Sequence, residues 1–247
     1  MNREAEPTLY YWLQSAQSMR VRRIRVMEGR ERLQINLENA VFFRLLRSGR
    51  PDGMSARGCV TYLHFYREEA RKLRGQGKVK GLSAAEQRNL EEELLSYFPR
   101  ALAFLKLGEY KACAQDLHHC MELARFTFRH GKGSAAAGSC MEMMPTLHMI
   151  YYLALCAMSL ESGHRARALY YLDRGVQRIA ADYLRISLRS AGSDSEEALR
   201  LRSFREIILQ ESRKRSARRR GMPAAKSPLH VPICQLLSQQ RRPAVES

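Results

Sequence analysis

The side chains best suited to chemistry in this 247-residue chain are cysteines and histidines between residues 113 and 148. Zinc commonly binds four such side chains at short, regular sequence spacings, and the set here is Cys113, His118, His119, Cys120, His130, Cys140 and His148. The spacings do not fit, because the sequence contains no Cys-x-x-Cys or His-x-x-x-His pair. We therefore expect no metal and no cofactor, and we expect these cysteines to be reduced and buried.

Motifs of covalent or phosphate-transfer catalysis are missing from the sequence. It has no Gly-x-Ser-x-Gly elbow, no Gly-x-x-x-x-Gly-Lys-Ser/Thr loop and no Gly-x-Gly-x-x-Gly turn. The acids Glu91, Glu92 and Glu93 are consecutive, so on a helix their carboxylates point in different directions and cannot converge on a substrate. The sequence predicts no catalytic site.

A basic run near the C-terminus is the candidate for binding a polyanion. Residues 200–220 contain nine basic and two acidic residues, and the run holds Arg213, Lys214, Arg215, Arg218, Arg219 and Arg220. Such a segment can bind nucleic-acid phosphates by releasing their counterions, but it has no interleaved aromatic residues that could stack on bases. Polyanion contact and a merely solvated arginine-rich segment are both open interpretations.

The composition indicates a helical, basic protein. The net charge of +17 and the pI near 10.1 favour polyanions, acidic proteins or anionic membranes as partners. Abundant helix formers with only 15 Gly and 8 Pro favour an all-α fold.

The N-terminal residues do not resemble a secretory leader, so we expect a cytoplasmic protein. The apolar stretch 147–160 is shorter than the roughly 20 residues that span a bilayer, so we expect a core helix and no membrane span.

Turn chemistry and periodicity divide the chain into four predicted regions. Residues 1–82 are an N-terminal helical region, 83–190 are helical hairpins, 191–220 are a basic helix and 221–247 are a disordered tail. In the first region we expect helices at 9–19 and 60–73, and a loop at 48–58. Residues 21–37 fit both the alternation of a β-hairpin and the period of a helix. We predict a helix there.

The second region carries the clearest signals. Ser83 and Glu86 form a capping-box signature for a helix that ends near residue 98. Apolar segments 101–107 and 110–128 then meet at a Leu-Gly-Glu-Tyr turn, which predicts a helical hairpin. A Gly/Ser/Ala stretch at 131–139 separates it from a second hairpin, 145–160 and 164–188, whose turn also contains a glycine.

Residues 97–123 resemble one tetratricopeptide repeat. That family places small residues where its two helices cross and large residues between them; the small positions here are Ala101, Cys113 and Cys120, and the large ones are Tyr97, Phe104, Tyr110 and Leu117. Gly108 occupies the turn. Gly163 and Ala168 occupy corresponding positions in the second hairpin, which is a weaker match. Arg100 replaces the usual leucine, and Arg125 stands where a closing proline is common.

The resemblance implies an irregular array of antiparallel helical hairpins that binds another protein in a concave groove. We accordingly predict a non-catalytic scaffold that binds a peptide or helix of a partner protein. The alternative is a nucleic-acid-associated protein that contacts phosphate through residues 200–220. Residues 194–202 are also similar to the helical core of the UVR motif of excision-repair subunits. The oligomeric state remains open.

Overall fold

A computed structural model describes residues 18–25, 31–37, 42–131, 133–186 and 194–218, apart from the side chains of residues 42, 135, 136 and 213–218. The described residues form a mainly helical protein with a small N-terminal sheet. The strands are β1 (Arg20–Arg25), β2 (Glu31–Asn36) and β3 (Phe42–Leu46). The helices are α1 (Tyr62–Gly75), α2 (Ala84–Lys106), α3 (Tyr110–His130), α4 (Ala135–Glu142), α5 (Met144–Glu161), α6 (Arg165–Arg185) and α7 (Glu196–Arg218).

The helix predicted at 21–37 is wrong, because the described residues there are strands. β1 and β2 pair antiparallel with Val21 opposite Ile35, and β2 pairs antiparallel with β3, so β2 is the central strand. The all-α prediction is corrected to a mainly helical fold. Most of the helix predicted at 9–19 lies outside the described residues.

Buried apolar side chains with a period of two explain the strand, and the polar Gln34 between them is buried through its hydrogen bond from Arg22. Leu33 and Ile35 are 0% exposed and Leu37 is 6% exposed, and residues two apart share a face only on an extended chain. On a helix these three side chains would spread over more than half of the circumference. The edge strand β1 carries exposed arginines, which disfavour edge-to-edge aggregation.

Helix α2 continues through Pro99, whereas the sequence predicted that a helix ends near residue 98. Ser83 and Glu86 form the predicted capping box at its start. A proline inside a helix removes one backbone donor and costs about 3 kcal/mol. Buried side chains on both sides of Pro99 offset this cost, and they include Phe98, Ala101, Leu102 and Leu105.

Two glycine turns join the two main antiparallel helix pairs with the same geometry. In the first, Gly108 has φ +73°, and the N–H groups of Glu109 and Gly108 donate to the carbonyls of Phe104 and Leu105 at 2.8 and 3.2 Å. In the second, Gly163 has φ +75°, and the equivalent N–H groups donate to Ser159 and Leu160 at 2.7 and 3.0 Å. Both are Schellman caps, in which glycine adopts the left-handed conformation without a Cβ penalty. The two predicted hairpin turns are confirmed.

Three further helices complete the described body. α4 begins within the stretch predicted to be only a separator, because the Ser134 hydroxyl accepts the Ala137 N–H at 3.1 Å and caps it. α1 is capped by Thr61, whose hydroxyl accepts the His64 N–H at 3.1 Å. α7 packs on α6 through side chains that are all 0% exposed, namely Ala198, Leu201, Phe204 and Ile208.

The guanidinium of Arg100 joins the sheet to the first helix pair. Its Nε and Nη2 donate to the Asp116 carboxylate at 2.7 and 2.8 Å, which links α2 to α3. Its Nη1 donates to the carbonyls of Leu46 and Gly49 at 2.9 and 2.7 Å, at the end of β3. Arg100 is buried on α2, and its four hydrogen bonds join α2 to α3 and to the end of β3. These bonds fix how the sheet lies on the helices.

Within the described residues, one segment, Ala137–Glu161, is long and apolar enough to cross a membrane by length and composition alone. Of its most apolar window, 61% is buried inside the protein. This burial is what a core helix shows.

We expect Gly175→Ala to destabilise the protein by about 1–3 kcal/mol, because overpacking forces neighbouring atoms apart. A Cβ at Gly175 would lie 2.5 Å from Leu201 Cδ1 and 3.0 Å from Tyr152 Cβ. Urea denaturation measures the difference. Gly138→Ala on α4 is the matched control, since a Cβ there meets nothing within 4 Å. The packing account fails if both variants are as stable as the parent.

We expect Arg100→Leu, which installs the residue usual in tetratricopeptide repeats, to lower the free energy of unfolding by about 3–5 kcal/mol. The reason is that Asp116, whose side chain is 8% exposed, loses its partner.

Burial raises the pKa of Asp116 even with Arg100 beside it, so desolvation outweighs the attraction. The double variant Arg100→Leu/Asp116→Leu should therefore recover part of the loss in urea denaturation. A double variant less stable than the single one would contradict this account.

Candidate functional site

An arginine-lined cleft lies between α3, α5 and α6. Its volume is about 480 Å³, and it is lined by four arginines and no acidic residue. Arg125 and Arg129 come from α3, and Arg178 and Arg185 come from α6. The remaining lining residues are His118, Met121, His148, Tyr151 and Tyr152.

A second cavity, of about 650 Å³, lies beside β3 and the first glycine turn and is separate from the cleft. Its lining includes Glu31, Arg47 and Glu109, whose charges are paired with one another: Arg47 contacts Glu31 at 2.9 Å and Glu109 at 2.7 Å. Because two acids and one arginine line it, this cavity has no excess positive charge to offer an anion. The 480 Å³ cleft differs in this respect.

His148 and Asp182 hold one of the cleft arginines in place. The Nδ1 atom of buried His148 is hydrogen-bonded to the buried Asp182 carboxylate. Its other nitrogen, Nε2, lies 3.3 Å from Nη2 of Arg125. A guanidinium can only donate, so Nε2 accepts and the ring proton is on Nδ1. The Arg125 guanidinium is also bound by Glu122, whose Oε1 accepts from Nη1 at 2.9 Å.

A second groove adjoins the cleft and shares two of its arginines. It lies between α1 and α3, has a volume of about 350 Å³ and is lined by Arg67, Arg71 and Arg74 of α1 together with Arg125 and Arg129. Glu122 is its one acidic lining residue. We call the seven arginines of the two cavities the arginine surface: Arg67, Arg71, Arg74, Arg125, Arg129, Arg178 and Arg185.

The charge of the arginine surface is only partly neutralised. Glu122 pairs with Arg67 and Arg125; burial alone would raise the pKa of Glu122, but the hydrogen bonds from these two arginines outweigh it and lower the pKa. Arg129 and Arg178 are exposed and make no salt bridge or side-chain hydrogen bond among the described residues. Two guanidinium forks are therefore available to an anion from opposite walls of the cleft, α3 and α6.

This arrangement can bind phosphate or carboxylate groups. The planar guanidinium donates two parallel hydrogen bonds to either group, and it stays charged at any physiological pH. Burial raises the pKa of Tyr151, so its hydroxyl in the cleft stays protonated and can donate as well. The chemistry that these donors can supply is the binding of an anion.

The structure does not describe the side chains of the predicted polyanion-binding run. Arg213, Lys214, Arg215 and Arg218 lie on α7, but their side chains are outside the described part of the chain. Arg219 and Arg220 lie outside it altogether. The binding role of this run stays a prediction.

The residues predicted to pack the repeat lie either in the turns or in the buried interior, as predicted. The two glycines, Gly108 and Gly163, are in the turns. The others are all buried: Ala101, Phe104, Tyr110, Cys113, Leu117, Cys120 and Ala168. These positions are compatible with a tetratricopeptide repeat, but they are also what any tightly packed helix pair requires, so the family resemblance stays a prediction.

The cysteines and histidines considered above as zinc ligands make other contacts in the described part of the chain. The described residues contain no group of three or more His, Cys, Asp or Glu side chains that could hold a metal ion. Cys113, Cys120, Cys140 and Cys156 are buried and Cys59 is partly buried, all as free thiols. His119 instead contacts the buried Glu93 carboxylate at 2.7 Å.

No model of a known protein family, no curated protein and no solved structure matches this chain.

The arginine surface is not among the sites predicted from the sequence, although the sequence contains a signal for it. Arg67, Arg71 and Arg74 are spaced four and three residues apart, Arg125 and Arg129 four apart, and Arg178 and Arg185 seven apart. Each spacing places its arginines on one face of a helix. What the sequence does not give is the packing that brings three such faces together.

We expect the four buried thiols to resist alkylation by iodoacetamide at pH 8 in the native protein. Burial raises the pKa of Cys140 to about 11 and of Cys156 to about 12, and it raises the pKa of Cys113 and Cys120 well above the ordinary value. The reactive thiolate is therefore scarce at pH 8. Peptide mass spectrometry measures modification at each site, with urea-unfolded protein as the control; rapid native modification of Cys113 would refute the prediction.

Proposed function

We propose that this chain is a non-catalytic binding protein whose helical body holds a nucleic-acid strand by its phosphates. The arginine surface carries the proposal, since seven arginines line two cavities that share Arg125 and Arg129 and contain one acidic lining residue. A basic surface on a protein of pI near 10.1 is the electrostatic footprint of nucleic-acid binding. The proposed site is the helical body, in addition to the basic run at the end of α7.

The lining of the two cavities favours a phosphate backbone over an acidic protein. Protein interfaces depend on a few apolar anchors at their centre. In the two cavities the apolar lining residues Met121 and Phe126 are buried, and none of the large exposed apolar side chains of the described chain lines either cavity. The accessible lining is therefore mainly arginine together with the half-buried Tyr151 and Tyr152, and it has no large exposed apolar anchor.

A second proposal is that the chain is a scaffold that binds another protein through its helical pairs. Its support is the repeated geometry of the two Schellman turns, which makes the pairs α2–α3 and α5–α6 similar units. Stacked units of this kind build extended binding surfaces. The two proposals are compatible, because a body that holds nucleic acid on one side can recruit a protein on another.

We expect the full-length protein to bind a fluorescein-labelled single-stranded oligonucleotide, with an affinity that falls as salt rises. The variant Arg129→Gln/Arg178→Gln should bind more weakly, and its slope of log K against log salt should be shallower by about 1.4, at roughly 0.7 per lost phosphate contact. Fluorescence anisotropy between 50 and 200 mM salt, roughly the range over which such contacts weaken, measures both quantities.

The control variant is Arg88→Gln/Arg167→Gln, which removes the same charge from exposed positions that line neither cavity. It should keep the parent slope. If both double variants lose the same affinity, net charge alone explains the binding and the proposed site is wrong. Displacement of the oligonucleotide by polyglutamate at equal charge concentration would favour an acidic protein partner instead.

A further inference from the structure

We infer that the cleft between α3, α5 and α6 binds one unpaired nucleotide of a strand, with its base against Tyr151 and Tyr152 and its flanking phosphates on the arginines. This inference rests on the proposed function and adds to it a site for a base, which only single-stranded nucleic acid can fill. The observation behind it is that the cleft has an aromatic floor between two basic walls.

The order of the helices separates the aromatic lining of the cleft from the basic lining. Helices α3 and α6 both pack on α5, so α5 forms the floor of the cleft and the other two helices form its walls. The floor carries His148, Tyr151 and Tyr152, and each wall carries two of the four arginines. A nucleotide within a strand has a phosphate on each side of its sugar, which matches a basic wall on each side of the floor.

The two tyrosine rings are held in place by their neighbours. They meet edge to face, with ring centroids 5.4 Å apart and ring planes at 81°. The ring of His148 lies 6.1 Å from that of Tyr152, and α6 approaches Tyr152 closely at Gly175. Both tyrosines are only half-buried, so part of each is accessible from the cleft. Because rigid rings lose little conformational freedom when a ligand contacts them, this floor suits a planar base.

An unpaired base is the group that an aromatic floor can recognise in addition to phosphate. Every base has a flat π-face that can stack on an aromatic side chain. In a duplex the neighbouring base pairs cover these faces, so a duplex offers the cleft its phosphates alone. The cleft volume of about 480 Å³ also lies within the range of roughly 300–1,000 Å³ that is usual for a site holding one small molecule.

The test compares three fluorescein-labelled ligands of equal length by fluorescence anisotropy at one salt concentration. They are a single DNA strand, the same strand with its bases removed, and the corresponding duplex. The abasic strand keeps every phosphate, so its affinity measures the contribution of the arginines alone. We expect the full-length protein to bind the intact strand at least about fivefold more tightly than the abasic strand, the smallest effect usual for one stacked base.

Variants of Tyr151 test the aromatic contact. Tyr151→Leu keeps apolar bulk without a ring, so it should weaken binding of the intact strand about fivefold or more and leave binding of the abasic strand and of the duplex unchanged. Tyr151→Phe keeps the ring and should retain the preference for the intact strand. The matched control is Tyr170→Leu, because Tyr170 lies on α6, is 57% exposed and lines neither cavity; it should behave as the parent does.

The outcomes separate this inference from the proposed function. Equal binding of the intact and abasic strands that still depends on Arg129 and Arg178 would overturn the nucleotide site and leave the proposed function standing. Absence of binding by all three ligands would overturn both. Equal weakening of all three by Tyr151→Leu would show that Tyr151 only supports the packing, and would also overturn the inference. So would displacement of the labelled strand by a phosphotyrosine peptide at a lower concentration than by the unlabelled strand, which would identify a protein ligand.

Discussion

The buried guanidinium of Arg100 is the constraint on which the arrangement of this protein depends. It binds Asp116 across the first helix pair and the carbonyls of Leu46 and Gly49 at the end of the sheet. Desolvating an ion pair costs much of what its attraction returns, and the raised pKa of Asp116 reflects that cost. Arg100 therefore contributes more to the geometry of the fold than to its stability. All four of its hydrogen bonds form together because the sheet lies in this one position on the helices.

The same packing assembles the arginine surface. The apolar faces of α3, α5 and α6 are buried in a common core, where α3 contacts α5 and α5 contacts α6 extensively. Once those faces are fixed, the arginines on the neighbouring faces of α3 and α6 meet across a cleft. Gly175 permits the close approach of α6 to Tyr152 and Leu201. The site is a consequence of how closely the helices pack, and of which face of each helix carries arginine.

Local signals in the sequence predicted local structure well. The capping box at Ser83 and the glycine turns at 108 and 163 were predictable because each depends on a few adjacent residues. Residues 21–37 were not, because alternating and helical patterns coincide there and the end of the sheet is bonded to Arg100, which is distant in sequence. The continuation of α2 through Pro99 was missed for a similar reason, since packing outweighs a local preference.

The arginine surface shows the limit of sequence reasoning most clearly. The basic run near the C-terminus was conspicuous because its charges are adjacent in sequence, whereas the seven arginines of the surface come from three separate helices. Adjacent charges can remain far apart on a solvated helix, but charges that converge on one cavity repel one another and lower stability. Arg129 and Arg178 carry this cost without a described partner, and an anionic ligand would remove it. That unrelieved repulsion is the physical basis of the proposal that the helical body binds an anion.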